Sequence, residues 1–189
     1  MRRDRGFTLV ELLVVLAIVA VLVSIAMVMY RQIRLRGGEA VAIASLEAIN
    51  QAQFAYMQTC GNQRYAPTLA ELGKPLPGTS TAYLSPDLTL QPDPAREPDP
   101  AREEEQVVKS GYMLRMSGTP VVDGPKTCTG ATPVSGYRIT ADPAVPGVGG
   151  ARYYGTNTDR VIFEDFESFH PEMPEAGPPA HGRELPAVR

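Results

Sequence analysis

Leu12 to Met29 is an unbroken apolar run with one polar residue, Ser24, and no charge, glycine or proline. As a helix it is about 27 Å long, close to the ~30 Å hydrocarbon core of a bilayer. Arg2, Arg3, Asp4 and Arg5 precede it with a net positive charge, and Glu11 sits at its leading end. An ionisable side chain at hydrocarbon depth costs about 3 kcal/mol or more, so Glu11 needs a partner and reads as functional. A chain with this start places one helix in a membrane or in an equivalent apolar packing.

Gly6-Phe7-Thr8-Leu9-Val10-Glu11-Leu12-Leu13-Val14-Val15-Leu16-Ala17-Ile18 resembles the N-terminal segment of type IV pilins and of the related pseudopilins of type II secretion. The likeness extends over Arg5 to Ala26 and joins a basic leader, a Gly-Phe junction, a Glu at a fixed offset and a long apolar helix. The resemblance implies removal of residues 1–6 by a membrane-bound prepilin peptidase. The cut would fall between Gly6 and Phe7, leaving Phe7 as an N-methylated terminus. It implies that Glu11 neutralises the terminal amine of a neighbouring copy while the helices pack as the core of a homopolymeric helical filament. It also implies storage in the bacterial inner membrane as a single-pass protein among lipid, delivery through an inner-membrane assembly platform, and a final place in an extracellular pilus or a periplasmic pseudopilus.

Charge pairing supports the same reading without the family. A free amine on Phe7 and the Glu11 carboxylate are each costly in lipid, and pairing removes most of that cost. Phe7 and Glu11 are spaced i, i+4, so an intramolecular pair and an intermolecular pair both stay open. The competing reading is a cleaved secretory signal with Arg2, Arg3 and Arg5 as its basic region, Leu12 to Val23 as its apolar region, and Ser24-Ile25-Ala26 as its cleavage site. That signal has no use for Glu11 or for the Gly6-Phe7 junction, and the apolar run continues past its cleavage site.

The 189 residues suit one anchoring helix and one modest domain. The formal net charge is −3, and loss of residues 1–6, with three Arg and one Asp, makes it −5. An acidic chain without clustered Lys and Arg argues against a direct nucleic-acid site. The 18 Pro and 17 Gly predict a loop-rich domain. Cys60 and Cys128 both follow the apolar helix. In a periplasmic or extracellular compartment they form one disulfide, which closes a long loop at a stabilisation of about 4 kcal/mol. A metal centre would want more Cys or His close by, and a catalytic Cys would want a His.

Residues 7–30 form the expected transmembrane and assembly helix, and 31–61 its amphipathic continuation. Arg31, Arg34 and Arg36 follow the apolar run as interfacial anchors. Gly37-Gly38 is a soft point that predicts a local kink, at about 2 kcal/mol relative to two alanines. Unlike many pilins, the apolar helix has no proline. Ala42, Leu46, Ile49, Gln53 and Tyr56 share one face bordered by Ile43, Phe54 and Met57, ready to pack on a sheet. Gly61 fits the helix C-terminus. From Phe7 to Cys60 a continuous helix would be about 80 Å long.

Residues 62–165 form the expected globular domain. Thr68 and Glu71 predict a capped short helix ended by Gly73, with Leu69 and Leu72 under the main helix. Pro92-Asp93-Pro94-Ala95-Arg96-Glu97 is repeated in full at residues 98–103 and reads as a solvated loop. Asp93, Asp99 and Glu103 to Glu105 would be the acidic set for a Ca2+ ion, but no Gly-turned ligand loop accompanies them and nearby Arg opposes a cation. Strands are predicted at Val107-Val108, at Tyr112 to Met116 with Tyr112, Leu114 and Met116 on one face, and at Tyr137 to Pro143. Arg152 to Asn157 and Val161 to Glu164 read as a hairpin with Thr158-Asp159-Arg160 at its tip. These strands also resemble the sheet of a large group of pilin-like proteins.

Residues 166–189 hold five prolines among Glu and Gly and read as a Pro-rich, disordered tail in which His170 and His181 are solvated. The chain shows no Ser/His/Asp set, no phosphate-cradling loop and no zinc spacing, so neither catalysis, a cofactor nor a metal is expected. The reading is therefore an α+β, pilin-like protein, its long N-terminal helix packed on an antiparallel sheet of about four strands. Its expected role is that of a pilus subunit. A type II secretion pseudopilin and a helix-anchored binding domain that never polymerises are the alternatives.

Overall fold

The computed structural model describes residues 9–76, 78–89 and 105–186. Helix α1 (Leu9–Thr59) leads into α2 (Leu69–Leu72) and a 3-10 turn at Pro86–Leu88. The strands follow as β1 (Glu105–Lys109), β2 (Tyr112–Ser117), β3 (Arg138–Pro143), β4 (Tyr153–Asn157), β5 (Ile162–Asp165) and β6 (Arg183–Glu184). All six pair antiparallel with their sequence neighbours in the order β1-β2-β3-β4-β5-β6. The class is α+β as expected, with six strands in place of about four.

The C-terminal half of α1 lies on this sheet. Ala42, Leu46, Ile49, Gln53 and Tyr56, the predicted face, are buried together with Leu69, Leu72, Tyr112, Leu114, Ile139 and Tyr154. Along β2 burial alternates as the sequence pattern requires, with Tyr112, Leu114 and Met116 inward. Sequence spacing did not single out Asn50. It is buried between helix and sheet, donating to Thr156 Oγ1 at 2.9 Å and accepting from the Tyr137 hydroxyl at 3.0 Å. Burial raises the pKa of the Tyr112, Tyr137 and Tyr154 hydroxyls, and as neutral groups Tyr112 donates to the Arg152 carbonyl and Tyr137 to Asn50.

Each turn has a local cause. Ser110 and Gly111, with φ of 49° and 86°, make the two-residue hairpin between β1 and β2. Thr68 caps α2 by accepting from the Glu71 amide at 3.1 Å. The Glu71 side chain does not complete a capping box: it is buried against Tyr56, Thr129 and Lys74. At the end of α1 the left-handed positions are Asn62 and Gln63. Gly61 serves there by size, since a Cβ on it would collide with the Arg64 carbonyl oxygen. Cys60 and Cys128 form a disulfide, and the Cys128 amide donates to the Cys60 carbonyl at 2.9 Å.

The helix runs without a break through Gly37-Gly38. A Cβ on Gly38 would strike the Gly149 carbonyl oxygen, whereas one on Gly37 would meet nothing within 4 Å. Gly38 is thus the point at which the backbone of the β3–β4 loop touches the helix, which is a packing reason rather than a bend.

Residues 166–186 correct the expected disordered tail. They cross the outer face of the sheet as a strap, and Phe169 and Met173 bury there with Phe163. Gly155 leaves the room, since a Cβ on it would lie 2.9 Å from the Met173 sulfur. Sheet side chains hold the strap's backbone: Asn157 Nδ2 donates to the carbonyls of Pro174 at 3.2 Å and Gly177 at 2.6 Å, and Asp159 accepts from the Gly177 amide at 2.6 Å. Three apolar anchors and these bonds outweigh what the Pro-rich composition suggests. The sequence repeat at 92–103 lies outside the described residues.

Paired glycine substitutions separate size from flexibility. Gly37→Ala should raise thermal stability, by about 1 kcal/mol of helix propensity. Gly38→Ala should lower it by about 2 kcal/mol through overpacking against Gly149. Thermal unfolding followed by circular dichroism of the two full-length variants checks the order; equal effects would remove the role given to Gly38.

Candidate functional site

The first half of α1 has no protein around it. Leu9 is 79 % exposed and Ile33 70 %, and the described apolar side chains between them are exposed throughout, on every side of the helix. Between Glu11 and Arg31 stand nineteen uncharged residues, a length of about 30 Å. Ser24, the polar residue inside the run, returns its hydroxyl to the Val21 carbonyl at 2.7 Å, so it presents no unpaired donor to an apolar surround. Glu11 lies in the first turn of the described helix. This element needs an apolar cover longer than the molecule itself supplies, with a carboxylate at one end and Arg31, Arg34 and Arg36 at the other.

Residues 1–27 match a family model described as the prokaryotic N-terminal methylation motif. The chain carries a prepilin-type signal. No curated protein and no solved structure matches the chain. The matched segment contains Arg5 to Ala26, and α1, which begins within it, is long and apolar enough to cross a membrane. The expected cleavage point between Gly6 and Phe7 lies outside the described residues. Glu11 and all but the last two residues of the apolar run fall inside the matched segment, while Cys60 and Cys128 sit 33 residues or more beyond it. The prepilin-type signal thus accounts for the bare half of α1, and the domain is a separate structural problem. Among the described residues no group of three His, Cys, Asp or Glu is placed to hold a metal ion. The acidic set of residues 93, 99 and 103–105 lies outside the described side chains.

Two charged clusters escaped the sequence reading, because their members are far apart in the chain. Glu164, 4 % exposed on β5, accepts from Arg152 at 2.6 Å and from Arg183 Nε at 2.6 Å. Burial raises its pKa, but the two guanidinium groups outweigh burial and hold the carboxyl below its usual value. Next to it His181 Nδ1 pairs with Asp165 at 2.7 Å, and the ring stacks on Phe169 with centroids 4.9 Å apart. The hydrogen bond from His181 lowers the Asp165 pKa. His181 is therefore a packed member of the strap and not a solvated tail residue; His170 is half-buried. Both clusters fasten β6 and the strap to β5.

Because both carboxyls have depressed folded-state pKa values, their contribution is complete above the ordinary carboxylate pKa and fades as pH falls through the lower folded values. Amide protection over residues 166–184, taken relative to the unstructured-chain exchange rate at the same pH, should therefore start to fall as pH drops below about 4, where the unfolded carboxyls titrate, before the α1–β4 core opens. In Glu164→Gln the acid-dependent loss of protection should shrink; protection factors equally insensitive to pH in both proteins would remove the ionic fastening.

Proposed function

We propose that this chain is a structural subunit of a type IV pilus-type filament, held in the inner membrane by the first half of α1 until assembly. The observation that carries the reading is Glu11 heading a fully uncovered apolar helix within the matched methylation motif. A bare helix of this length is stable in lipid or among copies of itself, and moving from one to the other keeps the apolar surface dry. Prepilin peptidase would cut between Gly6 and Phe7, and Phe7 would become the methylated terminus. The cut creates an amine that cancels the Glu11 charge, most usefully on an adjacent copy, where the pair also sets the axial register. The assembly platform of the inner membrane would then add the subunit to the filament, whose surface is the acidic sheet domain. A surface pilus and a periplasmic pseudopilus use the same chemistry.

Mass spectrometry of the mature chain should find Phe7 as an N-methylated terminus. A start near Met27 would mean a cleaved secretory signal instead. Glu11→Ala should leave processing intact and reduce incorporation into filaments about tenfold or more, the equivalent of losing 1.4 kcal/mol per subunit contact. Immunogold labelling of sheared filaments measures it. Undiminished incorporation would end the assembly role of Glu11, and the position of labelled filaments relative to the outer membrane separates pilus from pseudopilus.

A further inference from the structure

Residues 144–150 of the β3–β4 connection, Ala144-Val145-Pro146-Gly147-Val148-Gly149-Gly150, carry no charged or hydrogen-bonding side chain; the connection ends on Ala151 and Arg152, whose guanidinium turns to Glu164 on β5. Val145 is 56 % exposed and Val148 50 %. Other connections of the domain are polar, as at Thr158-Asp159-Arg160 and Val122-Asp123-Gly124-Pro125-Lys126. Solubility alone does not call for an apolar loop, so its position in the fold matters.

The fold places it toward the membrane helix. Along β2 the sheet runs from Tyr112, next to the hairpin tip that touches Gly38, to Met116, whose sulfur lies 3.5 Å from Gln53 Nε2. The domain thus extends away from the N-terminal half of α1 as β2 advances. Strand β3 runs the opposite way, pairing Ser117 with Arg138 and Tyr112 with Pro143. The chain leaving Pro143 is therefore heading back toward the bare helix when it turns at Gly147 and returns to Gly149, against Gly38. Gly38 is eight residues past Tyr30, about 12 Å along the axis. The headgroup layer beyond the hydrocarbon edge is about 5–7 Å deep. The loop is a closed turn, with the Gly149 amide donating to the Val145 carbonyl at 3.2 Å and the Gly147 amide to the Gly150 carbonyl at 2.9 Å, so Gly147, two residues from Gly149, reaches at most about 7 Å beyond it. Around this stretch of the helix Arg31, Arg34 and Arg36 are exposed, and no acidic residue occurs from Tyr30 to Gly38. The nearest acid, Glu39, accepts from the Ala151 amide at 3.1 Å and so belongs to the loop's own closure.

We propose that the tip of this loop, Val145 to Val148, is a membrane-docking surface that rests its valines in the headgroup layer of the bilayer beside α1, while the three arginines meet lipid phosphates. The proposal rests on the reading of α1 as a membrane helix. The docked loop fixes the tilt of the domain over the lipid through Gly149 and Gly38. Entry into a filament must lift it out, so the loop belongs to the stored subunit and not to the assembled one.

The chain contains no tryptophan, so a single introduced one reports alone. Full-length Val148→Trp in vesicles of phosphatidylethanolamine and phosphatidylglycerol should show blue-shifted emission and lose most of its fluorescence when the acyl chains are brominated. Val122→Trp, on an exposed loop at the disulfide end, should stay red and unquenched. In the unsubstituted chain with labelled valine methyls, a headgroup nitroxide lipid should broaden Val145 and Val148 and spare Val122, which guards against a tryptophan that drives its own insertion. Flotation with the vesicles tests the membrane helix separately: a chain that does not float overturns that reading and the docking with it. A floating chain whose Val148→Trp emission equals that of Val122→Trp overturns the docking alone. Protection of Val145 and Val148 only in assembled filaments would assign the face to a neighbouring copy and likewise overturn it.

Discussion

One helix has to satisfy two surroundings along a single axis. From Leu12 to Met29 the described side chains of α1 are uncovered on every side and apolar but for Ser24; from Ala42 to Tyr56 one side is the core of a domain and the other faces water. No rearrangement of a single copy can cover the first half, because the domain is attached beyond Gly38 and its sheet is already spent on the second half. The uncovered length matches a bilayer, and any replacement for the bilayer must be equally apolar and equally long. Other copies of the same helix would meet that condition, and in the proposed filament the carboxylate at its head would set where along the axis they meet.

The domain's chief task is to hold the second half of that helix rigidly. Its core is built on tyrosines whose hydroxyls all need partners: Tyr56 reaches Glu71, Tyr112 the Arg152 carbonyl and Tyr137 the Asn50 side chain. The first ties α1 to α2 and the second braces the sheet, while Asn50, bonded to Tyr137 and to Thr156 on β4, ties α1 to the sheet and so fixes its orientation there as well as its distance. The strap on the opposite face makes β3 and β4 buried on both sides, which converts a two-layer sandwich into three layers and stiffens the central strands.

The local features of this architecture were legible in the sequence. The period of Ala42, Leu46, Ile49, Gln53 and Tyr56, the alternation in β2, the Thr68 cap and the β4–β5 hairpin all depend on neighbours within a few residues. So did the methylation motif, whose meaning lies in a contiguous stretch. What escaped was decided by contacts across the chain. Gly38 looked like a weak point of a helix because Gly149, which needs its missing Cβ, is 111 residues away. The prolines of 166–186 suggested disorder because Gly155, Asn157 and Asp159, which seat the strap, belong to another element. Nothing near them in the chain marks Asn50 and Glu164 as buried, because Tyr137, Thr156, Arg152 and Arg183, which partner them, stand on other elements.

The placement of the disulfide follows from how force would enter a subunit of the proposed filament. Tension is delivered along α1, because that helix alone joins one subunit's interior packing to its domain. A sheet attached to a helix by core side chains resists sliding well, since many contacts must break together, but it peels easily from an end, where they break one at a time. At the near end the attachment is a thin backbone contact, Gly38 against Gly149 and Ser110. At the far end α1 stops at Thr59, and the next residue, Cys60, is bonded to Cys128 in the loop between β2 and β3. That bond ties the far end of α1 to the β2–β3 loop, so in the proposed filament a pull that opened the near end would still have to load the core of Leu46, Ile49 and Tyr56 against a fixed far end. Loss of the bond would therefore matter more under tension than the roughly 4 kcal/mol of unfolded-chain entropy suggests, because it changes which contacts must fail first.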